Sequence, residues 1–151
     1  MSLFNGFNIS ASGLTANRMR MDVVSSNIAN ANTTRAQLVN GEWVPYRRKS
    51  VELTQTGVSP FQKQFQAAMN RGNAQVSGVK VASIGEDQTP FTLSYDPTNP
   101  DADENGYVKL PNVDPIKEMV DLMSATRSYE ANVTALNASK SMFMKALEIG
   151  K

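Results

Sequence analysis

The chain contains no cysteine and no histidine. The first absence excludes disulfides, thiolate metal sites and cysteine nucleophiles. The second removes the side chain most used as a general base and as a metal ligand. Aromatic residues are sparse, at 7% of 151 positions, and hydrophobic residues reach only 40%, a modest endowment for a self-sufficient core. Charge of one sign is also missing. Fifteen Lys and Arg against fourteen Asp and Glu leave a formal +1, so no field gathers nucleic acid or an anionic membrane surface. No run approaches the roughly eighteen apolar residues that span a bilayer, and direct membrane insertion is not expected. The opening stretch MSLFNGFNISASGLTANRMR lacks a basic segment followed by a continuous apolar one, so a cleaved secretory signal is not expected either. Paired carboxylates, a glycine-rich phosphate loop and a nucleophile arrangement are all absent from the sequence. It predicts no catalytic residue, no cofactor, no metal and no small-molecule substrate.

What is present lies mainly at the two ends. From about Phe4 to Ala31 one long helix is expected, because Phe7, Leu14, Met21 and Ile28 recur every seven residues. Val24 and Ala31 fill companion positions, while Ser10 and Asn17 leave that seam small or polar. The helix should fail at Asn30-Ala31-Asn32-Thr33-Thr34, whose side chains compete for backbone hydrogen bonds. At the other end Asp114 is a good N-cap and Pro115 occupies the favoured first helical position, with Glu118 suiting the positive end of the helix dipole. Met119, Leu122, Thr126, Tyr129, Val133, Leu136, Lys140, Phe143 and Leu147 then alternate steps of three and four. Such a helix of about thirty residues would be about 45 Å long.

Between the ends the pattern changes. Residues 42–44, 47–53, 76–84 and 92–95 read as short strands, and Ser59-Pro60 could open a short helix carrying Phe61, Phe65 and Met69. The run from Asp96 to Gly106 is a polar, turn-forming loop. The predicted organisation is therefore an N-terminal helix over 1–34, a β-rich middle unit over 35–95, a polar loop over 96–113 and a C-terminal helix over 114–151. The fold class is α+β.

Three further features carry alternatives. Asp101-Ala102-Asp103-Glu104-Asn105-Gly106 has the opening of an EF-hand calcium loop, but the twelfth position is Asn112 rather than a bidentate Glu, and Pro97, Pro100 and Pro111 flank it; an acidic surface turn fits better. Arg47-Arg48-Lys49 is a basic triplet whose alternate residues face opposite ways on a strand, which favours solvated charge or a rim salt bridge over phosphate binding. Asn27 and Asn137 lie beside the helical seams, where buried asparagine fixes register at a cost in stability. Asn30 and Asn32 serve equally well as caps.

Two heptad-bearing helices can bury their stripes against one another as a coiled coil, yet Met19, Val120, Met123, Met142 and Met144 fall outside the seams. Apolar surface left wet on that scale marks a partner surface, and eight methionines supply adaptable contact area. The candidate assembly residues are Leu14, Met21, Ile28, Asn27, Tyr129, Val133, Leu136, Asn137 and Phe143. A monomeric helical adaptor or chaperone-like protein that grips a partner helix is the competing reading.

The segment Ser25-Ser26-Asn27-Ile28-Ala29-Asn30-Ala31-Asn32-Thr33-Thr34 resembles the N-terminal signature of the axial proteins of the bacterial flagellum. In most rod and hook proteins a glycine and an aromatic follow; here Arg35 follows, and then Pro45-Tyr46-Arg47-Arg48-Lys49, a departure similar to the proximal rod family of the basal body. Tyr95-Asp96-Pro97, Gly106-Tyr107-Val108, Pro111-Asn112-Val113 and Ser128-Tyr129-Glu130-Ala131-Asn132-Val133 resemble the same family. The resemblance implies a structural subunit exported unprocessed through the flagellar type III export apparatus. It implies assembly with other flagellar rod proteins and copies of itself, in a rod crossing the periplasm or cell wall that transmits torque and forms part of the export conduit. It also implies terminal segments that order on assembly, which suits a helix with an unfilled seam.

Overall fold

A computed structural model describes residues 3–56, 64, 65, 68 and 77–149. The chain is α+β, with a long helix at each end and short strand pairs between them. Helix α1 spans Leu3–Ala29 and α2 spans Pro115–Ile149; the strands are β1 Gln37–Val39, β2 Glu42–Val44, β3 Lys49–Gln55, β4 Val79–Glu86, β5 Thr92–Tyr95 and β6 Tyr107–Leu110. The strands form three two-stranded sheets, β1–β2, β3–β4 and β5–β6. The short helix expected after Ser59-Pro60 falls largely outside the described residues. The expected strand at 76–84 is β4, displaced towards its C-terminal side.

Helix α1 ends as its asparagines predict. Asn30 turns its Nδ2 onto Ser26 O at 2.9 Å, and Thr33 N bonds to Asn30 O at 3.1 Å, closing a turn instead of another helical step. Helix α2 begins on its predicted cap. The Asp114 carboxylate accepts from Ile116 N at 3.0 Å and Lys117 N at 3.4 Å, satisfying two amides with no partner inside the helix.

Two strands went unpredicted. Strand β1 pairs with β2 across Asn40-Gly41, with Leu38 opposite Trp43. The φ angles of 53° and 89° at these two residues are those of the type I′ turn that fits the twist of a hairpin. Strand β6 lies inside the expected polar loop of 96–113. It pairs antiparallel with β5, so that the polar run 96–106 is the loop of a hairpin. Tyr95 and Tyr107 close its neck edge to face, 5.3 Å between ring centroids. Gly106 takes φ 78°, and a Cβ there would come within 3.1 Å of the Tyr95 ring.

The chain divides into two compact units, to which both helices contribute. One comprises the described residues of Met1–Met19, Glu52–Ser83 and Thr126–Lys151; the other is Arg20–Val51 with Ile84–Ala125. In the first unit, the buried positions among the described residues are Ser10, Gly13 and Ala16. Gly13 is small for a reason: a Cβ on it would stand 3.0 Å from Asn132 Oδ1, so the two helices approach too closely there for a larger side chain. Ser12 receives Val79 N at 3.1 Å and donates to Ile9 O at 2.7 Å, tying β4 to α1. Among the described residues the second unit has more buried positions, with Val23, Val24, Pro45, Tyr46, Val108, Pro111 and Ala125 buried besides Asn27 and Glu118.

The buried line along α2 corrects the expected seam. Leu122, Tyr129, Leu136 and Phe143 are half-buried, as the heptad requires. Their companions on the inward side are Glu118, Ala125, Asn132 and Ser139, one residue before the expected Met119, Thr126, Val133 and Lys140. Met119, Thr126 and Lys140 are exposed. The apolar period alone could not reveal this, because the residues that turn inward are small or polar.

Candidate assembly interface

The second unit is organised by Asn27, which is 0% exposed. Its Nδ2 donates to Lys49 O and to Glu118 Oε2, each at 2.8 Å. Its Oδ1 accepts from Lys49 N at 2.9 Å and from Tyr46 Oη at 3.0 Å. Both donors and both lone-pair sites of the amide are therefore used, the condition under which a buried polar group ceases to be a liability. One side chain thereby joins α1, the start of β3, the chain entering it and the first turn of α2.

Glu118 is 1% exposed and acts as more than a helix-end charge. Its Oε1 accepts from Arg48 Nε at 2.6 Å. The Arg48 guanidinium also faces Asp87 and Asp121, each at 3.6 Å, and Arg20 reaches Asp121 at 3.1 Å. Burial disfavours the charge on Arg48, but the hydrogen bond to Glu118 and the fields of Glu118, Asp87 and Asp121 outweigh it and raise its pKa. Arg48 is thus the half-buried cation that pairs with a buried carboxylate, where the sequence suggested a solvated charge or rim bridge. The backbone N of Arg48 donates to Asn112 Oδ1 at 2.8 Å, and Asn112 Nδ2 holds Asp87 O and Thr89 O. Arg47 turns away to stack on Phe91, 4.5 Å from the ring centroid.

The acidic loop is held by its own carboxylates. Asp101 accepts from Arg35 and, at 2.8 Å, from Thr34 Oγ1, which fastens the loop to the chain leaving α1. Asp103 Oδ1 accepts from Asn105 N and Tyr107 N, both at 3.0 Å. This is the bonding of a structured turn. The bonds from Arg35 and then Thr34 hold the Asp101 pKa below its ordinary 3.8. A carboxylate depressed in the folded state adds stability above its unfolded pKa, and that stability is lost as pH falls through the folded value. Asp101→Asn is therefore expected to flatten the loss of urea resistance below about pH 3.8, measured as unfolding midpoints against pH.

The outer surface of α2 has a different chemistry. Ile116, Met119, Val120 and Met123 are 70, 49, 56 and 61% exposed, and their spacing places them in one stripe within the second unit. In the first unit Met142, Met144, Leu147 and Ile149 are exposed on the same helix. Met19, Val120, Met123, Met142 and Met144 are thus all solvent-facing, as expected from their positions outside the seams. Of the candidate assembly residues, Asn27 is buried. Leu14, Met21, Ile28, Tyr129, Val133, Leu136 and Phe143 are half-buried, and Asn137 is exposed. Within the chain the closest helix approach uses small and polar residues, which leaves the larger apolar ones only partly covered.

Two long terminal helices joined by short hairpins, with an apolar stripe left exposed on α2 and no cluster of metal-ligating side chains among the described residues, are the features of a structural subunit. A family model for flagella basal body rod proteins matches residues 7–37, and one for the C-terminal region of flagellar basal body rod FlgEFG proteins matches residues 104–149. The chain is 62% identical to the flagellar basal-body rod protein FlgC of Bacillus subtilis over 151 residues, the whole of both chains. It is 45% identical to FlgC of Borreliella burgdorferi over 153 residues, covering 99% of this chain and 98% of that one. It is also 45% identical to FlgC of Salmonella typhimurium over the full length of both. The chain belongs to the FlgC family of flagellar basal-body rod proteins, and its role is that of a structural rod subunit.

Proposed function

We propose that the chain polymerises with copies of itself and with other rod proteins through a coiled-coil layer formed by its terminal helices. In this reading Leu14, Met21, Ile28, Asn27, Tyr129, Val133, Leu136, Asn137 and Phe143 carry the layer, and the hairpin region between the helices lies outside it. The supporting observation is the mismatch along α2: Glu118, Ala125, Asn132 and Ser139 turn inward while Ile116, Val120, Met123 and Leu147 remain in water. A fully exposed apolar side chain gains about 1.5–3 kcal/mol on burial, so a neighbour that covers the stripe gains several such contributions at once. The assembled layer bears torque and bounds part of the export conduit. The subunit reaches it through the flagellar type III apparatus without cleavage, and the rod it joins crosses the periplasm or cell wall. Chemistry plays no part in this function; packing does.

The stripe offers a test free of folding effects. Val120→Glu with Met123→Glu alters residues that are more than half exposed, so unfolding of the purified chain is expected to shift by no more than about 0.5 kcal/mol per site. Basal bodies from a strain carrying the pair should lack a completed rod, and the cells should not swim. Normal swimming would remove the stripe from the interface.

A further inference from the structure

The sequence contains three Asn-Gly pairs: Asn5-Gly6, Asn40-Gly41 and Asn105-Gly106. Glycine following asparagine offers an unhindered backbone nitrogen to the side-chain amide, and the fold places the three pairs in unlike settings. Asn5 and Gly6 lie in the first turns of α1. Gly106 N is engaged, donating to Asp103 O at 2.9 Å, while Asn105 N donates to Asp103 Oδ1. The Tyr95 ring and Pro97 crowd the same residue, within 3.1 and 3.2 Å of where a Cβ would stand. At Asn40-Gly41 both residues are exposed, both have positive φ, and nothing lies within 4 Å of the corresponding position on Gly41.

We propose that Asn40 is a site of spontaneous deamidation and isoaspartate formation, and that it converts faster than Asn105 in the folded chain. Gly41 N attacks Asn40 Cγ; the new N–Cγ bond forms as Cγ–Nδ2 breaks, and ammonia leaves with the proton given up by the glycine nitrogen. Water then opens the succinimide ring at either carbonyl. One opening yields aspartate. The other yields isoaspartate, with the main chain routed through the former side chain and one methylene added to it. No oxidation or reduction occurs, and the product gains a carboxylate. The added methylene falls in a two-residue turn that requires positive φ at both positions, joining strands of three residues each. Modification therefore loosens the hairpin and releases Trp43 from its place opposite Leu38.

The full chain is incubated at mildly alkaline pH, in buffer and in denaturant. IsoAsp is located by peptide mapping, and the fluorescence of Trp43, the single tryptophan, is followed in parallel. In buffer Asn40 is expected to convert at least about fivefold faster than Asn105, the factor set by freeing one ordinary hydrogen bond from Gly106 N. In denaturant the two should converge. Asn40→Gly keeps a residue suited to positive φ and should abolish both the product and the fluorescence drift. Conversion of Asn105 at an equal or greater rate in buffer would overturn the proposal. So would an intact Asn40 in buffer beside ready conversion in denaturant, or undiminished isoaspartate in Asn40→Gly.

Discussion

Replacing Glu118 with alanine is expected to destabilise the second unit by about 3 kcal/mol, the lower end of the cost of breaking a buried ion pair. The lower end applies because the Arg48 side chain remains 27% exposed while that of Glu118 is 1% exposed. Truncation strands two donors, Arg48 Nε and Asn27 Nδ2, which now meet the carboxylate at 2.6 and 2.8 Å. Three anions face Arg48 in the native protein, so Asp87 and Asp121 would recover part of its charge but not its hydrogen bond. Glu118→Gln tests the mechanism. The amide retains an acceptor for one donor and loses the charge, so it should fall between wild type and alanine, at about 1.5 kcal/mol. Denaturant midpoints of the three proteins decide the matter. If alanine and wild type unfold together, the network contributes nothing to stability.

The second large effect concerns assembly. Leu136 is half-buried on the line shared by Leu122, Tyr129 and Phe143, and Leu136→Asp places a charge among them. Leu136 belongs to the first unit, and the resonances of Asn27, Tyr46 and the β5–β6 hairpin in the second unit are expected to keep their positions. The rod, by contrast, should fail to form and the cells should be non-motile, because an isolated carboxylate cannot be buried against a neighbour without a partner. A motile strain carrying this change would count directly against Leu136 as an assembly residue.

Both ends of the fold were legible in the sequence for physical reasons. A long helix imposes a period over many residues, so α1 and the core of α2 could be read from Leu14, Met21, Ile28, Leu122, Tyr129 and Leu136. Asp114 and Pro115 announced the start of α2 because capping is a local matter. What could not be read was the identity of the inward companions. Glu118 reads as a helix-end charge and Arg48 as a surface cation, since the pairing that draws Arg48 onto the buried Glu118 joins residues 70 positions apart. Asn27 could be singled out beside the seam, but its four bonds depend on β3 and Tyr46 arriving from elsewhere. The β1–β2 hairpin was missed although Asn40-Gly41, flanked by Leu38 and Trp43, is among the stronger short-range hairpin signals. Strand β6 is hidden because Tyr107 and Val108 follow directly on a run so polar that its loop character masks them.

The proposal that the rod buries surfaces left wet in the single chain is tested with the protein's own methionines. Met119, Met123, Met142 and Met144 are exposed on α2, and peroxide converts exposed thioethers to sulfoxides. Oxidation of each is compared in the purified chain and in isolated basal bodies, by mass spectrometry of the same peptides. Strong protection of these four in the basal body, with ready oxidation in the free chain, is the expected result. Equal oxidation in both would contradict the account, since the apolar face of α2 would then remain in water after the rod is built.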